Sequence, residues 1–434
     1  MVVAPTGTGK TLVAHLTIAL LAAALKNRFP RVLLIVPSRA LLAQHSNDAT
    51  WLPAQGIIPV HVLHPDASVA IWRTALQSNG LVLTTPVALV RRLSMIETAL
   101  QLGRFDCAIF DEIDTYVTVE DQDERRDTWP AVEICLRAKL PVLGLTGTGL
   151  TNAQESKWRS EGFYLAHPAV PDAWLPMTRV RFVPVEDEGM ALQDDDIRQQ
   201  LSKAYGTLAA THGAVGWKQL KELARAGEPM ALRILSLSFE RLRLFESFGT
   251  NDTKLKALIT SLQSRPVVVM TRFRDVCHSI VERVIGTGLE ARAAEGSMSR
   301  AAIAEAIGWF REQEPKQKAV LVLTRELGGR GLDFPQAASM AVISPRSNYQ
   351  AVAQELARIR SRRSAPKQVS ILYYARTEEE AKAARLASHL RLERFDKKNL
   401  FELVDPPKPT YVLAPFESKN LRNEESVMSD FSFP

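Results

Sequence analysis

The feature that most constrains the fold is a phosphate-binding loop at residues 4–11, Ala-Pro-Thr-Gly-Thr-Gly-Lys-Thr. Gly7 and Gly9 lack side chains, so the backbone N–H groups of the loop can wrap around a triphosphate. Lys10 can reach the outer phosphates, and the hydroxyl of Thr11 can bind Mg²⁺. The apolar stretch at residues 12–25 predicts a helix whose positive end faces the same phosphates. The candidate nucleotide-binding residues here are Thr6, Gly7, Thr8, Gly9, Lys10 and Thr11.

Short apolar runs alternate with amphipathic helical stretches through most of the chain. In the first half the runs are residues 32–36, 80–84, 107–110 and 142–145. In the second half they are residues 267–270, 319–323, 340–343 and 369–373. This alternation predicts an α/β protein with two parallel-sheet lobes and a cleft between them.

The domain organisation follows from where this alternation stops. We expect a first lobe at residues 1–165, a connector and helical insertion at 166–250, a second lobe at 251–395, and a linker and C-terminal tail at 396–434. Residues 194–247 have helical spacing throughout, and the stretch before them is rich in proline. The basic residues of the insertion suggest that it grips nucleic acid, with a packed helical spacer as an equal alternative. They are Lys218, Lys221, Arg225, Arg233, Arg241 and Arg243.

Composition is compatible with nucleic-acid binding but does not establish it. The 434 residues include 54 basic and 48 acidic side chains, for a formal net charge of +6. Cys107, Cys135 and Cys277 are scattered, which argues against a disulfide framework or a zinc site. The longest apolar run is too short to span a bilayer and directly follows the phosphate loop. We therefore expect a cytoplasmic protein without a signal peptide or membrane anchor.

Two adjacent carboxylates, Asp111 and Glu112, follow the apolar run at residues 107–110. Ligands of open α/β sheets bind at the carboxyl ends of strands, so this pair is expected in the site. We assign Asp111 to Mg²⁺ and Glu112 to the attacking water of a phosphoryl transfer. An isolated Asp-Glu pair is more often a solvated turn. The preceding buried strand and the upstream phosphate loop favour the catalytic interpretation here.

Several segments together resemble the motifs of superfamily 2 helicases of the DEAD/DEAH-box type. Residues 4–11, 36–44, 84–86, 111–114 and 146–148 are similar to motifs I, Ia, Ib, II and III, in the same order. The resemblance implies RecA-like lobes that use ATP and Mg²⁺. It also implies that Ser38, Arg39 and Thr85 hold the phosphate backbone of a bound nucleic-acid strand without reading its bases.

The second lobe extends the resemblance. Residues 267–272 are similar to motif IV, which makes Thr271 and Arg272 candidate nucleic-acid contacts. Residues 324–335 are similar to motif V, although this segment is one residue longer than usual. Residues 354–362 are similar to motif VI of the branch that includes fork-remodelling and double-stranded-RNA-sensing helicases, which also carry a helical insertion.

The residues implied by motifs V and VI divide into three roles. Thr324 is a nucleic-acid contact, Gly331 and Asp333 lie near the nucleotide, and Gln354, Arg358 and Arg360 are catalytic. Arg358 and Arg360 match arginine fingers, which stabilise charge on the transferring phosphoryl group. The alternative is that residues 358–363 are a basic helix face or a nucleic-acid patch.

One departure from the family concerns the adenine site, because only Met1, Val2 and Val3 precede the phosphate loop. The family normally has an upstream segment that recognises adenine. Either this start is truncated, or a protein partner supplies the missing part, or nucleotide selectivity is relaxed.

The sequence therefore predicts an ATP-dependent helicase or translocase that contacts mainly the phosphates of nucleic acid. DNA is the working expectation, with RNA left open. Two alternatives remain: an ATPase that acts as a sensor or clamp without unwinding, and an inactive scaffold subunit of a larger complex.

Overall fold

The chain divides into two compact units, the first ending at Leu175 and the second beginning at Pro176. The structure is a computed structural model. It describes residues 1–4, 10–26, 28–116, 129–147, 152–168, 177–262, 266–314, 317–328, 334, 336–346, 352–353, 355–356, 358–359, 367–392, 394–395 and 398–408.

The first unit is built on a parallel sheet of six described strands, in the order β1-β6-β5-β2-β4-β3. Every residue of the central strands β4 and β5 is buried, as expected for a parallel sheet covered on both faces. The strands are β1 (Val2–Val3), β2 (Arg31–Ile35), β3 (Val60–Leu63), β4 (Gly80–Thr84), β5 (Cys107–Phe110) and β6 (Val142–Thr146).

Helices cover both faces of this sheet. They are α1 (Lys10–Ala24), α2 (Arg39–Asp48), α3 (Trp51–Ala54), α4 (Val69–Gln77), α5 (Pro86–Val90), α6 (Leu93–Gln101), α7 (Trp129–Arg137) and α8 (Asn152–Ser160), with a 3₁₀ turn at Ile113–Tyr116. Two separate cores result, because side chains alternate between the faces of a strand. Val32 and Leu34 of β2 pack in the core that contains Ile18 of α1. Leu33 of β2 packs in the other core, with Trp72 of α4.

The second unit contains a parallel sheet of seven described strands, in the order β15-β7-β12-β11-β8-β10-β9. A short antiparallel pair, β13 with β14, accompanies it. The strands are β7 (Thr178–Val185), β8 (Val267–Thr271), β9 (Glu290–Ala294), β10 (Ala319–Thr324), β11 (Ser339–Val342), β12 (Gln368–Tyr374), β13 (Arg394–Phe395), β14 (Lys398–Asn399) and β15 (Phe401–Val404).

A helical bundle of the second unit has an apolar core of its own. Leu201 of α9, Leu220 of α10 and Ile234 of α11 are among the buried residues of this core. The bundle helices are α9 (Glu188–His212), α10 (Trp217–Arg225) and α11 (Pro229–Glu246). The other helices are α12 (Thr253–Ser261), which follows a 3₁₀ turn at Thr250–Asp252, then α13 (Arg274–Ile285), α14 (Arg300–Arg311), α15 (Arg325–Gly328) and α16 (Glu378–Leu392).

A buried ionic network joins this bundle to the rest of the second unit. Arg241 of α11 donates from Nε to Asp194 Oδ1 of α9 at 2.5 Å, and its Nη1 lies 2.7 Å from Glu378 Oε2 of α16. The backbone N–H of Glu378 donates to the second oxygen of Asp194 at 3.0 Å. All three side chains are almost completely buried. The network therefore ties the bundle helices to the helix that covers the second sheet.

The structure differs from the sequence prediction in two segments. Residues 178–185 lie in the expected connector, yet they form β7 in the second sheet. Residues 401–404 lie in the expected linker and tail, yet they form β15 and pair with β7. In β7, Val180 and Phe182 are buried while Arg179 and Arg181 are exposed. The high proline content around this segment concealed that alternation.

The buried position of Arg241 also bears on the expected grip of the insertion on nucleic acid. Its guanidinium is held by Asp194 and Glu378 inside the unit, so it does not belong to an exposed basic face.

In the part of the chain that the structure describes, no helix combines the length and apolar character needed to cross a bilayer.

The network predicts that Arg241 contributes strongly to stability. Arg241→Leu leaves Asp194 buried without the guanidinium that pairs with it, while Glu378 keeps only Lys382, so we expect the free energy of unfolding to fall by about 3–5 kcal/mol. Arg243→Leu is the matched control, because Arg243 lies on the same helix and pairs with Asp275 at a solvent-exposed position. It should lose at most about 1 kcal/mol. Urea unfolding of both variants measures the difference, and equal losses would contradict the prediction.

Candidate functional site

The carboxyl edge of the first sheet brings together the residues that the sequence predicted for nucleotide chemistry. Since all its strands are parallel, their carboxyl ends lie along one edge. Ala4 follows β1, Asp111 follows β5 and Gly147 follows β6, while Lys10 begins α1. Thr6, Gly7, Thr8 and Gly9 of the phosphate loop lie outside the described residues.

Lys10 is directed toward this edge from the first turn of α1. Its Nζ donates to the carbonyl oxygen of Ala4 at 3.2 Å and lies 3.9 Å from Glu112 Oε1. The side chain is 9% exposed, so its charge acts with little solvent screening. Thr11 follows Lys10 in the same turn and is half-buried. A buried cation beside the carboxylates suits the binding of phosphate oxygens.

Asp111 is buried and is held through both carboxylate oxygens. Its Oδ1 accepts the backbone N–H of Glu112 at 3.1 Å, and its Oδ2 lies 3.0 Å from Nε2 of His45. Its own N–H donates to the carbonyl oxygen of Ile35 at 2.9 Å. Burial by itself would raise the pKa of Asp111. The hydrogen bond and charge of His45 and the charge of Lys10 outweigh it, so the pKa lies below its usual value.

Glu112 has a left-handed backbone conformation, with φ of 49°. This conformation is uncommon for a residue with a side chain and costs on the order of 1 kcal/mol. The turn directs Glu112 toward β6, where its Oε2 accepts the backbone N–H of Gly147 at 3.3 Å. The carboxylate is therefore fixed between Lys10 and the end of β6.

The donor set fits Mg²⁺ in the form that binds together with a phosphate ligand. Mg²⁺ prefers oxygen and is commonly held by one or two carboxylates, with phosphate oxygens and waters completing its shell. Asp111 would supply an ionised carboxylate, and Thr11, which follows Lys10 in α1, would supply a hydroxyl. Among the described residues there is no cluster of three or more acidic, histidine or cysteine side chains that could hold a metal by itself.

The predicted nucleic-acid contacts of the first unit lie at helix starts on the same edge. Ser38 is the N-cap of α2 and accepts the N–H of Leu41 at 3.2 Å. Thr85 is the N-cap of α5 and accepts the N–H of Ala88 at 3.4 Å. These bonds use the hydroxyl oxygens as acceptors, so they do not consume the O–H donors. Arg39 is exposed, and its nearest carboxylate oxygen, on Asp66, is 3.5 Å away.

Two of the predicted contacts of the second unit, Thr271 and Arg272, are hydrogen-bonded to Glu246 at the end of α11. Glu246 Oε2 accepts the hydroxyl of Thr271 at 2.6 Å and the backbone N–H of Arg272 at 2.5 Å. Glu246 and Thr271 are both buried. Thr324 is also buried, and its hydroxyl has no hydrogen-bond partner among the described residues. Thr271 is therefore held inside the unit by its hydroxyl.

Motif VI is described only in part. Arg358 is 8% exposed, and its carbonyl oxygen accepts the N–H of Phe334 at 2.9 Å. Glu355 is buried and lies 2.7 Å from Arg346 Nη1. Four predicted site residues lie outside the described residues: Gly331, Asp333, Gln354 and Arg360.

Sequence reasoning did not identify His45 or Glu246 as site residues. Each lies on a helix whose local sequence does not show which distant group the side chain will contact. For His45, the sequence feature that could have pointed to the site was its position next to the motif residue Gln44, on the buried face of α2. For Glu246 it was a carboxylate at the very end of α11.

Family models match both domains of the chain. Residues 1–155 match the model described as DEAD/DEAH box helicase, and residues 251–362 match the helicase conserved C-terminal domain. The chain therefore contains, in this order, one region similar to the DEAD/DEAH box domain and one similar to the helicase C-terminal domain. A search of curated proteins found no match.

Solved helicase structures resemble the chain over most of its length. Dbp5 of S. cerevisiae bound to RNA and ADP BeF3 is 14% identical, with a TM-score of 0.55, covering 93% of this chain and 84% of that one. The Hef helicase domain of Pyrococcus furiosus is 21% identical, with a TM-score of 0.53, covering 89% and 94%. Mycobacterium smegmatis Lhr bound to ssDNA and AMP-PNP is 18% identical, with a TM-score of 0.54, covering 92% and 46%. At these identities the likeness shows the fold, and both sheets are RecA-like lobes.

His15 is buried and packs against His45, and its burial predicts that the stability of the chain depends on pH. Burial, and secondarily the nearby His45, lower the pKa of His15 to about 4. In the unfolded chain this ring is protonated near pH 6.5. The neutral, buried ring of His15 therefore contributes its full stability to the folded state above that pH, and this contribution is lost as the pH falls toward 4. Through this residue we expect the free energy of unfolding to drop by about 2 kcal/mol from pH 7 to pH 5.

Urea unfolding at both pH values checks this expectation by comparing the wild type with His15→Leu. From pH 7 to pH 5, the free energy of unfolding of the variant should fall by about 2 kcal/mol less than that of the wild type. His278→Leu, at an exposed position, is the control and should retain it. An unchanged pH dependence in His15→Leu would contradict the prediction.

Proposed function

We propose that this chain, which carries the two domains of a DEAD/DEAH helicase, hydrolyses ATP in response to nucleic acid and uses the energy to move along or unwind it. The observation that carries the proposal is the convergence of Lys10, Asp111 and Glu112 at the carboxyl edge of the first sheet. Lys10 lies 3.9 Å from Glu112, and Asp111 is buried beside them with both carboxylate oxygens engaged.

Each of these residues has a separate role in the proposed reaction. Lys10 binds the outer phosphates of ATP, and Thr11 and Asp111 hold Mg²⁺. The metal neutralises phosphate charge when it is bound. Glu112 orients the attacking water and takes its proton, as general-base catalysis of phosphoryl transfer requires. The loop residues Thr6, Gly7, Thr8 and Gly9 complete the phosphate cradle.

The remaining catalytic groups belong to the second domain, as the family resemblance implies. Arg358 and Arg360 stabilise the charge of the transferring phosphoryl group, and Gln354 supports the reacting water. Gly331 and Asp333 contact the nucleotide. Positive charge of this kind is expected to contribute about 10³ to 10⁵ in rate.

Nucleic acid is proposed to bind through its phosphates. Ser38 and Thr85 present hydroxyl groups at helix N-termini, and Arg39 presents an exposed guanidinium. Helix N-termini and arginine side chains are common phosphate contacts that carry no base specificity. Thr271, Arg272 and Thr324 are the proposed contacts of the second domain. Because the hydroxyl of the buried Thr271 donates to Glu246, it is not free to donate to a phosphate in this arrangement.

DNA is the first substrate to test, with RNA as the second arm. Among the similar structures, Dbp5 is bound to RNA and Lhr to ssDNA. Placement near the branch with a helical insertion is supported by the three-helix bundle at residues 188–246 and by the likeness to Hef.

The catalytic role of Glu112 predicts a large loss of turnover with retained binding. Glu112→Gln should lower kcat for ATP at least about 100-fold, because it removes the base but keeps the shape. Binding of ADP should change little. Glu97→Gln is the control, since Glu97 pairs with Arg137 on the exposed surface of the same domain. ATPase rates with single- and double-stranded DNA and RNA measure the effect.

The outcomes of that experiment separate the alternatives. Equal rates for wild type and Glu112→Gln would indicate a scaffold rather than an ATPase. Nucleic-acid-stimulated hydrolysis that leaves a labelled duplex intact in a strand-displacement assay would indicate a sensor or clamp.

The exposed guanidinium of Arg39 predicts a sequence-independent contact. Arg39→Ala should weaken binding to oligonucleotides of different sequence to a similar extent. It should also reduce the slope of log K against log salt concentration by about one. Arg73→Ala, another exposed arginine of the first domain, is the control. Fluorescence anisotropy across a salt series measures both, and an unchanged slope for Arg39→Ala would exclude the contact.

A further inference from the structure

His45 is buried inside the first domain, and its side chain makes one polar contact among the described residues. Its Nε2 lies 3.0 Å from Oδ2 of Asp111, and the exposed fractions of the two side chains are 0% and 6%. The other ring nitrogen, Nδ1, has no hydrogen-bond partner among the described residues. The ring of His15 packs edge-on against it, with centroids 5.6 Å apart. The hydrogen bond that the His45 ring makes among the described residues is thus the one with Asp111.

The direction of this hydrogen bond follows from the chemistry of its partners. An ionised carboxylate can only accept, so Nε2 of His45 must carry the hydrogen. Hydrogen bonds to a charged acceptor are shorter and stronger than neutral ones. The bond therefore restrains the carboxylate as well as satisfying the ring.

The alternative is that His45 is an ordinary core residue of α2. A leucine at this position would bury comparable apolar surface without leaving a ring nitrogen unpaired, and an unpaired buried nitrogen costs about 1–3 kcal/mol. A histidine in this environment is thus less favourable for packing alone. What it adds is a donor to the carboxylate, 66 residues away in the chain.

We propose that His45 is a positioning residue that orients the carboxylate of Asp111 for Mg²⁺. The N–H of Glu112 holds Oδ1 and His45 holds Oδ2, so the plane of the carboxylate is fixed from two sides. Each oxygen keeps a further lone pair for a metal or a metal-bound water. Such partners of a ligating carboxylate typically change metal affinity by about 10- to 100-fold when they are removed. This inference rests on the proposed function, because it assigns Asp111 to the metal.

The test is the Mg²⁺ dependence of nucleotide binding, which requires no turnover. A fluorescent ADP analogue is titrated into the full chain at a series of Mg²⁺ concentrations and in EDTA. His45→Leu should raise the Mg²⁺ concentration for half-maximal enhancement at least about tenfold. Its affinity for the analogue in EDTA should equal that of the wild type. His61→Leu is the control, because His61 lies on β3 away from Asp111.

His45→Gln distinguishes positioning from packing. The amide nitrogen of glutamine reaches close to the position of Nε2 and can donate to Asp111, so it should restore the Mg²⁺ dependence to within about threefold of the wild type. His45→Asn has the same amide on a shorter side chain and should resemble His45→Leu. If His45→Leu fails to fold, the comparison of His45→Gln with His45→Asn decides between positioning and packing.

Two results would overturn the proposal, and they differ in what else they overturn. A normal Mg²⁺ dependence in His45→Leu, or in folded His45→Asn, would make His45 a core residue and leave the proposed function intact. Absence of any Mg²⁺-dependent nucleotide binding by the wild type would overturn both.

Discussion

The buried carboxylate of Asp111 is the group around which the first domain is arranged. An ionised carboxylate inside a protein is unfavourable unless donors surround it. The fold supplies the N–H of Glu112 and the ring of His45, and it places Lys10 nearby. Each of these three groups lies on a different element: the strand end after β5, the buried face of α2 and the start of α1. The parallel sheet makes this convergence achievable, because it aligns the carboxyl ends of all its strands at one edge.

The second domain also has a buried carboxylate at a strand end, but there the carboxylate holds the motif residues. Glu246, at the end of α11, holds the hydroxyl of Thr271 and the N–H of Arg272 at the end of β8. The bundle that supplies Glu246 is itself tied to the domain by Arg241 and its two buried carboxylates. The bundle therefore belongs to the structure of the second domain, and its helices hold the strand end where a motif residue emerges. A helical segment interrupting an α/β chain can thus support a strand end elsewhere in its own domain.

Much of the fold was predictable, because its signals are local. The α/β alternation and the two parallel sheets follow from short apolar runs, and the position of Asp111 follows from the strand before it. The prediction of a connector and helical insertion at residues 166–250 missed β7, because prolines nearby hid an alternation of buried and exposed residues. The position of Arg241 was also not predictable: a basic residue on a helix usually faces solvent, and only the opposing carboxylates explain its burial. His45 was missed for the same reason, since its partner is distant in the chain.

The sequence by itself determined the class of the fold and the chemical identity of the groups that we propose face the nucleotide, Lys10, Asp111 and Glu112. These depend on periodicity and on contiguous motifs, in which each residue's neighbours carry the information. Only the tertiary structure decided the order of strands within each sheet, the partners of the buried charges and the restraint on Asp111 by His45. Such contacts join residues separated by 66 positions, as in His45 with Asp111, or by 47, as in Arg241 with Asp194. The physical reason is that a buried charge is stabilised by whichever donor or counter-charge packing brings to it, and packing is set by the whole domain rather than by adjacent residues.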